Sequence, residues 1–202
     1  GYVGTAAYAG MIRAGGRKSP DLVAKALTGE DPILWDAALP AVREPGKPKV
    51  TAKYAALLSG VPKPVLTGLI EALAQRGDKA AAPGLVPFVA DEDAVVAAAA
   101  IRALALVGDG SSVDALVKMA AHGEDPNRAA AMQALVQIDA PDVSKALLAG
   151  LKGGDAAETA VLAKVMGQRR DEAVRPSLRE LVQSEDAQVR AAAAPALAAV
   201  GE

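Results

Sequence analysis

Few side chains in this sequence could do chemistry, and most of them fall on a repeating pattern. The one histidine, His122, stands beside Gly123 and Glu124. With no cysteine and no second imidazole in the chain it makes no metal-binding set, and it reads as a solvent-exposed loop residue. The absence of cysteine also removes disulfides and a sulfur nucleophile, and it leaves the compartment open. Carboxylates cluster at Asp91, Glu92 and Asp93, at Glu124 and Asp125, and at Glu185 and Asp186. A general acid at neutral pH needs a carboxyl group held away from water. These clusters instead recur at one turn of a repeating unit, where helix capping and turn solvation account for them. No Gly-x-x-x-x-Gly-Lys-Ser, Gly-x-Ser-x-Gly or His-Glu-x-x-His segment occurs. The glycine-serine stretch Gly108, Gly110, Ser111 and Ser112 reads as a connector. The residues therefore predict no catalytic group, no metal and no cofactor.

The elements that would position any such residue follow a register of 31 residues that runs through the chain without an insertion. One apolar column reads Val42, Leu73, Leu104, Leu135, Met166 and Leu197, and the column three residues earlier reads Leu39, Ile70, Ile101, Met132, Ala163 and Ala194. A second pair, half a unit away, reads Val23, Tyr54, Leu85, Leu116, Leu147, Leu178 and Leu27, Leu58, Val89, Ala120, Leu151, Val182. Spacings of three and four residues within each stripe are helical, and no β-branched alternation suggests a strand. Each unit is therefore a helix pair. Asp31, Asp93, Asp155 and Asp186 share a column just before the second helix, where a short carboxylate can cap exposed backbone N–H groups. Gly15, Gly46, Gly77, Gly108 and Gly201 share the column where that helix should end, as expected of a residue free to adopt positive φ; Asp139 and Arg170 break this column. Pro40 and Pro195 inside second helices and Pro87 inside a first helix predict kinks. One helix pair cannot bury two stripes alone, so the units must stack in sequence order around a continuous core.

Composition agrees with tightly packed helices. Apolar residues make up 51% of the 202, with alanine runs at 97–100 and 191–194 and few aromatics. The formal net charge is −2, divided unevenly: residues 1–79 carry 11 Lys/Arg against 7 Asp/Glu, and residues 80–202 carry 11 against 17. Neither excess calls for nucleic acid or an anionic membrane, because mixed signs along exposed helix faces are ordinary solvated surface. No uninterrupted apolar stretch approaches the roughly 20 residues of a membrane span, and residues 1–15 lack a signal peptide's charged start.

The second helix built from Asp186, Val189, Arg190, 191–194, Leu197, Val200 and Gly201 resembles the short HEAT repeats of the PBS-lyase HEAT-like class, and Asp93 through Ile101, Leu104 and Gly108 repeat it more weakly. Departures fall at Trp35 and Thr159, where the family has arginine, and at Pro62 in the cap column. Tetratricopeptide and ankyrin signatures are absent. The resemblance implies an all-α fold, a right-handed α-solenoid of stacked antiparallel helix pairs with first helices on the convex side and second helices on the concave side. Residues 1–15 are then the second helix of a truncated leading repeat. Six repeats follow at about 16–47, 48–78, 79–109, 110–140, 141–171 and 172–202. Neither end presents a polar outer face, which predicts a stretch of a longer multidomain bacterial polypeptide. HEAT-type hydroxylases carry repeated His-Glu pairs, which this sequence lacks. HEAT-like DNA glycosylases use a basic concave surface. Here Trp35, Arg128 and Arg190 share one column, but with Leu66, Ala97 and Thr159 on an acidic protein, so no nucleic-acid partner is expected.

What remains is a polar ladder along the second helices: Pro40, Glu71, Arg102, Gln133, Lys164, Pro195, and one turn later Glu44, Gln75, Leu106, Gln137, Gln168, Ala199. Its candidate binding residues are Glu71, Gln75, Arg102, Gln133, Gln137, Lys164 and Gln168, joined by Trp35, whose indole could anchor a partner or serve packing in the terminal unit. The expected function is a non-catalytic protein-interaction or scaffold module. Its partner would be another protein or other domains of the same polypeptide, with no membrane involved. The alternatives are a helical-repeat enzyme or bilin lyase-type domain, and a nucleic-acid-binding domain.

Overall fold

The computed structural model describes residues 2–201; the outermost repeat boundaries, drawn at residues 1 and 202, lie outside them. Seven α-helices occupy the second-helix positions: α1 Tyr2–Ala14, α3 Pro32–Arg43, α5 Lys63–Arg76, α7 Ala94–Val107, α9 Asn127–Gln137, α11 Ala156–Arg169 and α13 Ala187–Val200. Six shorter ones alternate with them: α2 Ser19–Leu27, α4 Pro48–Ala55, α6 Ala82–Leu85, α8 Val113–His122, α10 Val143–Gly150 and α12 Arg175–Leu181. There is no strand among the described residues. The helices gather into two compact units, Gly1–Ala103 and Leu104–Glu202. In the first, α1, α3 and α5 pack in sequence order, as do α2, α4 and α6. In the second, α9, α11 and α13 pack in order, with α8 against α10. Each unit is a stretch of α-solenoid, every helix pair lying on the next.

Periodicity explains the core. The Val23 column is buried at all six positions, and the Val42 column is buried from Val42 to Met166. Leu197 is half-buried and Ala194 exposed; both lie on α13, whose packing neighbours are α11 and α12. The four capping aspartates act as their spacing predicts: Asp31 accepts from the Ile33 N–H, Asp93 from Val95, Asp155 from Glu158, and Asp186 from both Gln188 and Val189, all at 2.8–3.0 Å. A second capping column escaped the sequence reading: Asp78, Asp109 and Asp171 accept from Ala80, Ser111 and Ala173 where the first helices begin. Prolines act unequally. α3 and α13 run on through Pro40 and Pro195, whereas the helix containing Pro83 and Pro87 is reduced to α6 between two 3-10 turns. Gly84 lets that broken helix approach α4, since a Cβ there would lie 2.8 Å from the Ala55 Cβ.

The glycine column needs correction, because it serves two purposes. Gly77 and Gly201 do adopt positive φ, at 71° and 81°. Gly15, Gly46 and Gly108 do not; a side chain on Gly46 would collide with the Arg76 guanidinium, and one on Gly108 with the Leu104 carbonyl oxygen and Ile138. Space, not backbone sign, holds those two glycines.

Arg76 explains the crowding. Its guanidinium donates to the Val42 and Glu44 carbonyl oxygens at the end of α3, and its Nε donates to the Thr51 hydroxyl at 2.6 Å. Thr51 in turn donates to Asp78 at 2.6 Å. Arg76 also lies 5.5 Å over the Tyr54 ring, whose hydroxyl pKa is raised by burial against the opposing pull of that cation. Three periods later the device recurs: Arg169 donates to the Leu135, Val136 and Ile138 carbonyl oxygens at 2.8–3.1 Å, capping α9 from α11, while the Ser144 hydroxyl hydrogen-bonds Asp171. A helix end leaves several carbonyls without partners, and here a cation from the next repeat satisfies them.

Candidate functional site

All twelve ladder positions are exposed: Pro40, Glu71, Arg102, Gln133, Lys164, Pro195, Glu44, Gln75, Leu106, Gln137, Gln168 and Ala199. Their regularity follows from helix geometry: residues one turn apart on the odd-numbered helices share a face, and the 31-residue register places the same face outward in every unit. Four ladder amides, Gln75, Gln133, Gln137 and Gln168, stand free to donate and accept together, and Leu106 offers a large apolar side chain that is 68% exposed. Among the described residues only Thr51, Arg76 and Ser112 are buried polar or charged groups. No carboxylate or imidazole described is buried.

Trp35 takes part in local structure. The ring is half-buried, and its indole N–H donates to the Gly29 carbonyl oxygen at 2.8 Å. Five periods away, Arg190 sends its guanidinium to the Ser184 and Glu185 carbonyl oxygens, both at 2.7 Å. Gly29 and Ser184 occupy equivalent positions, so tryptophan and arginine do the same job at this column: they fasten the turn that enters the second helix. Arg128, between them, is paired with Asp125 at 2.7 Å. The column that could have offered phosphate contacts is thus spent on local structure.

His122 is exposed, but it is not the isolated imidazole its place in the sequence implied. Folding brings Asp155 and Glu158 to it, one turn apart at the start of α11: its Nε2 lies 3.1 Å from Asp155 Oδ2 and 3.5 Å from Glu158 Oε1. These three groups could each offer one ligand atom to a metal ion, all within 4.8 Å of one another. The sequence could not foresee this, because the partners lie more than thirty positions downstream in another repeat. The same Asp155 caps α11, and its pKa is lowered first by the Glu158 N–H and further by His122. A contact between repeats, with the imidazole of one set against two carboxylates of the next, already accounts for the arrangement.

Three hollows border the ladder. In the first unit, a hollow of about 600 Å³ carries both signs of charge: Arg13, Lys47 and Arg76 face Asp36 and Glu44. In the second unit, two hollows of about 390 Å³ each share Lys164. One is flanked by Asp125, Arg128 and Gln188, the other by Gln168, Arg170, Pro195 and Ala199. Arg170, which stands in the glycine column of the sequence, is a groove residue in the fold.

No curated protein matches the sequence. Among solved structures, the chain is similar to a designed armadillo repeat protein in complex with the peptide (KR)4, at 16% identity over 90% of this chain and 99% of that chain, with TM-score 0.52. It is similar to an engineered protein at 20% identity, covering 90% and 98%, with TM-score 0.50. It is also similar to a chain of the complex of CpcE and CpcF of phycocyanin lyase from Nostoc sp. PCC7120, at 22% identity over 91% and 77%, with TM-score 0.49. At such identities the likeness is one of fold. Sequence profiles of the family described as HEAT repeats match residues 54–136, 82–162 and 144–202. With those matches covering most of its length, and with helix pairs stacked in a fixed register, the chain belongs to the HEAT-repeat family.

Proposed function

We propose that the ladder is a protein-interaction surface and that the chain works as a non-catalytic scaffold module, its ligand an extended segment of another protein or of its own polypeptide. One observation carries the reading: every ladder position is exposed, while the adjoining Val42 column stays buried from Val42 to Met166. Uniform core columns keep the units in register, and varied polar residues beside them supply specificity. Exposed amides suit an extended backbone, because each can donate to a carbonyl and accept from an N–H group. The designed armadillo repeat protein of similar fold, solved with a peptide, supports this reading.

Selection of a random peptide library on the immobilised protein tests the proposal. The selected ligands should lose affinity on Arg102→Glu or Lys164→Glu, and keep it on Lys145→Glu, an exposed control on α10. Circular dichroism of all three variants should match the parent. Ligands that bind the two ladder variants unchanged would place recognition elsewhere.

A further inference from the structure

Within the second unit the ladder has a chemical preference of its own. This unit carries 10 Lys/Arg against 14 Asp/Glu, so its surface as a whole is acidic. Yet the hollow between α11 and α13 contains Lys164 and Arg170 and not one carboxylate. Both cations are exposed, and neither has an ion-pair partner among the described residues. The other charged residues of this unit mostly find local uses: Lys118 with Asp114, Arg128 with Asp125, Arg169 on carbonyls of α9, Arg190 on its own turn. The floor is made of small groups. Gly167 touches α13 so closely that a Cβ there would strike Ala196, so the two helices meet at the base of the hollow.

Arg170 supplies an independent observation. It is the only residue other than glycine with positive φ among those described, at 52°, and it ends α11 at the column where Gly77 and Gly201 take positive φ in their own repeats. A left-handed conformation is unfavourable for a side chain with a Cβ, and glycine is the residue that relieves it. The chain keeps an arginine in the left-handed conformation that two other repeats give to Gly77 and Gly201, and that side chain lines the hollow. Strain retained at a position that faces a groove is a mark of function.

We infer that the α11–α13 hollow binds an acidic segment of a partner protein, with Lys164 and Arg170 receiving carboxylates and Gln168 the adjoining backbone. This rests on the ladder being the interaction surface and names the partner chemistry at one part of it. Carboxylate side chains fit better than a nucleic-acid backbone, because two unpaired cations on an acidic unit cannot neutralise a run of phosphates.

Fluorescence anisotropy with a labelled (Glu-Ser)4 peptide tests the inference on the full chain, with (Lys-Ser)4 and an eight-residue oligothymidylate as comparison probes. The glutamate peptide should bind, and more weakly as salt rises. Lys164→Glu with Arg170→Glu should reduce its affinity at least tenfold. Arg170→Gly separates binding from folding: it should weaken the probe several-fold while its melting temperature stays at, or rises above, that of the parent. Equal or tighter binding of the lysine peptide, or of the oligothymidylate through the same two residues, would overturn the inference. So would binding of the glutamate peptide that is indifferent to both cations. If library ligands still map to the ladder while the glutamate peptide does not bind, the acidic partner is wrong and the ladder stands. If no ladder substitution affects any ligand, both fall.

Discussion

Trp35 and Asp171 show how single side chains serve the fold before they serve any ligand. The Trp35 indole reaches the carbonyl that Arg190 reaches from the equivalent position in its own repeat, so two quite different residues, each a long N–H donor, can fasten the same turn. Trp35→Phe keeps an aromatic ring and removes the donor, and should cost about 1 kcal/mol of stability by urea unfolding. Trp35→Arg should cost less, since a guanidinium can donate to Gly29. A phenylalanine variant as stable as the parent would leave the N–H without a role. Asp171 has its pKa lowered, first by the Ser144 hydroxyl and then by the Ala173 N–H. A carboxylate depressed in the folded state binds fewer protons than the same group unfolded. Its contribution is therefore present above the ordinary aspartate range and lost as pH falls through the folded value. Ser144→Ala should raise the Asp171 pKa, read by NMR titration, and flatten the fall in stability as pH drops below about 4. An unchanged titration would remove Ser144 from the account.

At the scale of helices, much of the design was legible because it is periodic. Apolar columns, capping aspartates and helix-ending glycines repeat at one spacing, and burial and hydrogen bonding follow them closely. What the register did not disclose were interactions between units. Arg76 and Arg169 lie three periods apart, as do Thr51 and Ser144, and Asp78 and Asp171, but valine or isoleucine fills the arginine column at 107, 138 and 200, so the pattern is diluted. Only the fold reveals that both arginines cap a neighbouring helix. Hydrogen bonds to a charged group contribute roughly 1.5–3 kcal/mol, and Arg169→Leu removes those to three carbonyls at the end of α9. It should lower stability by about that amount and speed amide exchange in the last turn of α9, while exchange at the start of α11 is unaffected. An effect below about 0.5 kcal/mol would mean that water serves those carbonyls equally well.

Across the whole chain, stability and recognition are distributed differently. Most of the largest buried side chains belong to the repeating columns, with Leu69, Ile138 and Leu162 beside them, so each helix pair depends on its neighbours and little on distant units. The ladder is the opposite case: its positions were legible from the sequence because the register fixes which face is outward, but its chemistry was not. Lys164 and Arg170 became unpaired groove cations, and Trp35 a structural tie, only through contacts the register does not encode. If stability is local, a core deletion should also act locally. Leu135 is fully buried, and Leu135→Ala should cost about 2–5 kcal/mol. Hydrogen exchange should then quicken in α8 through α11, with amides of α3 in the other compact unit protected as before. A uniform rise in exchange from α3 to α13 would instead require one cooperative folding unit, and nearest-neighbour coupling would be the wrong description of this array.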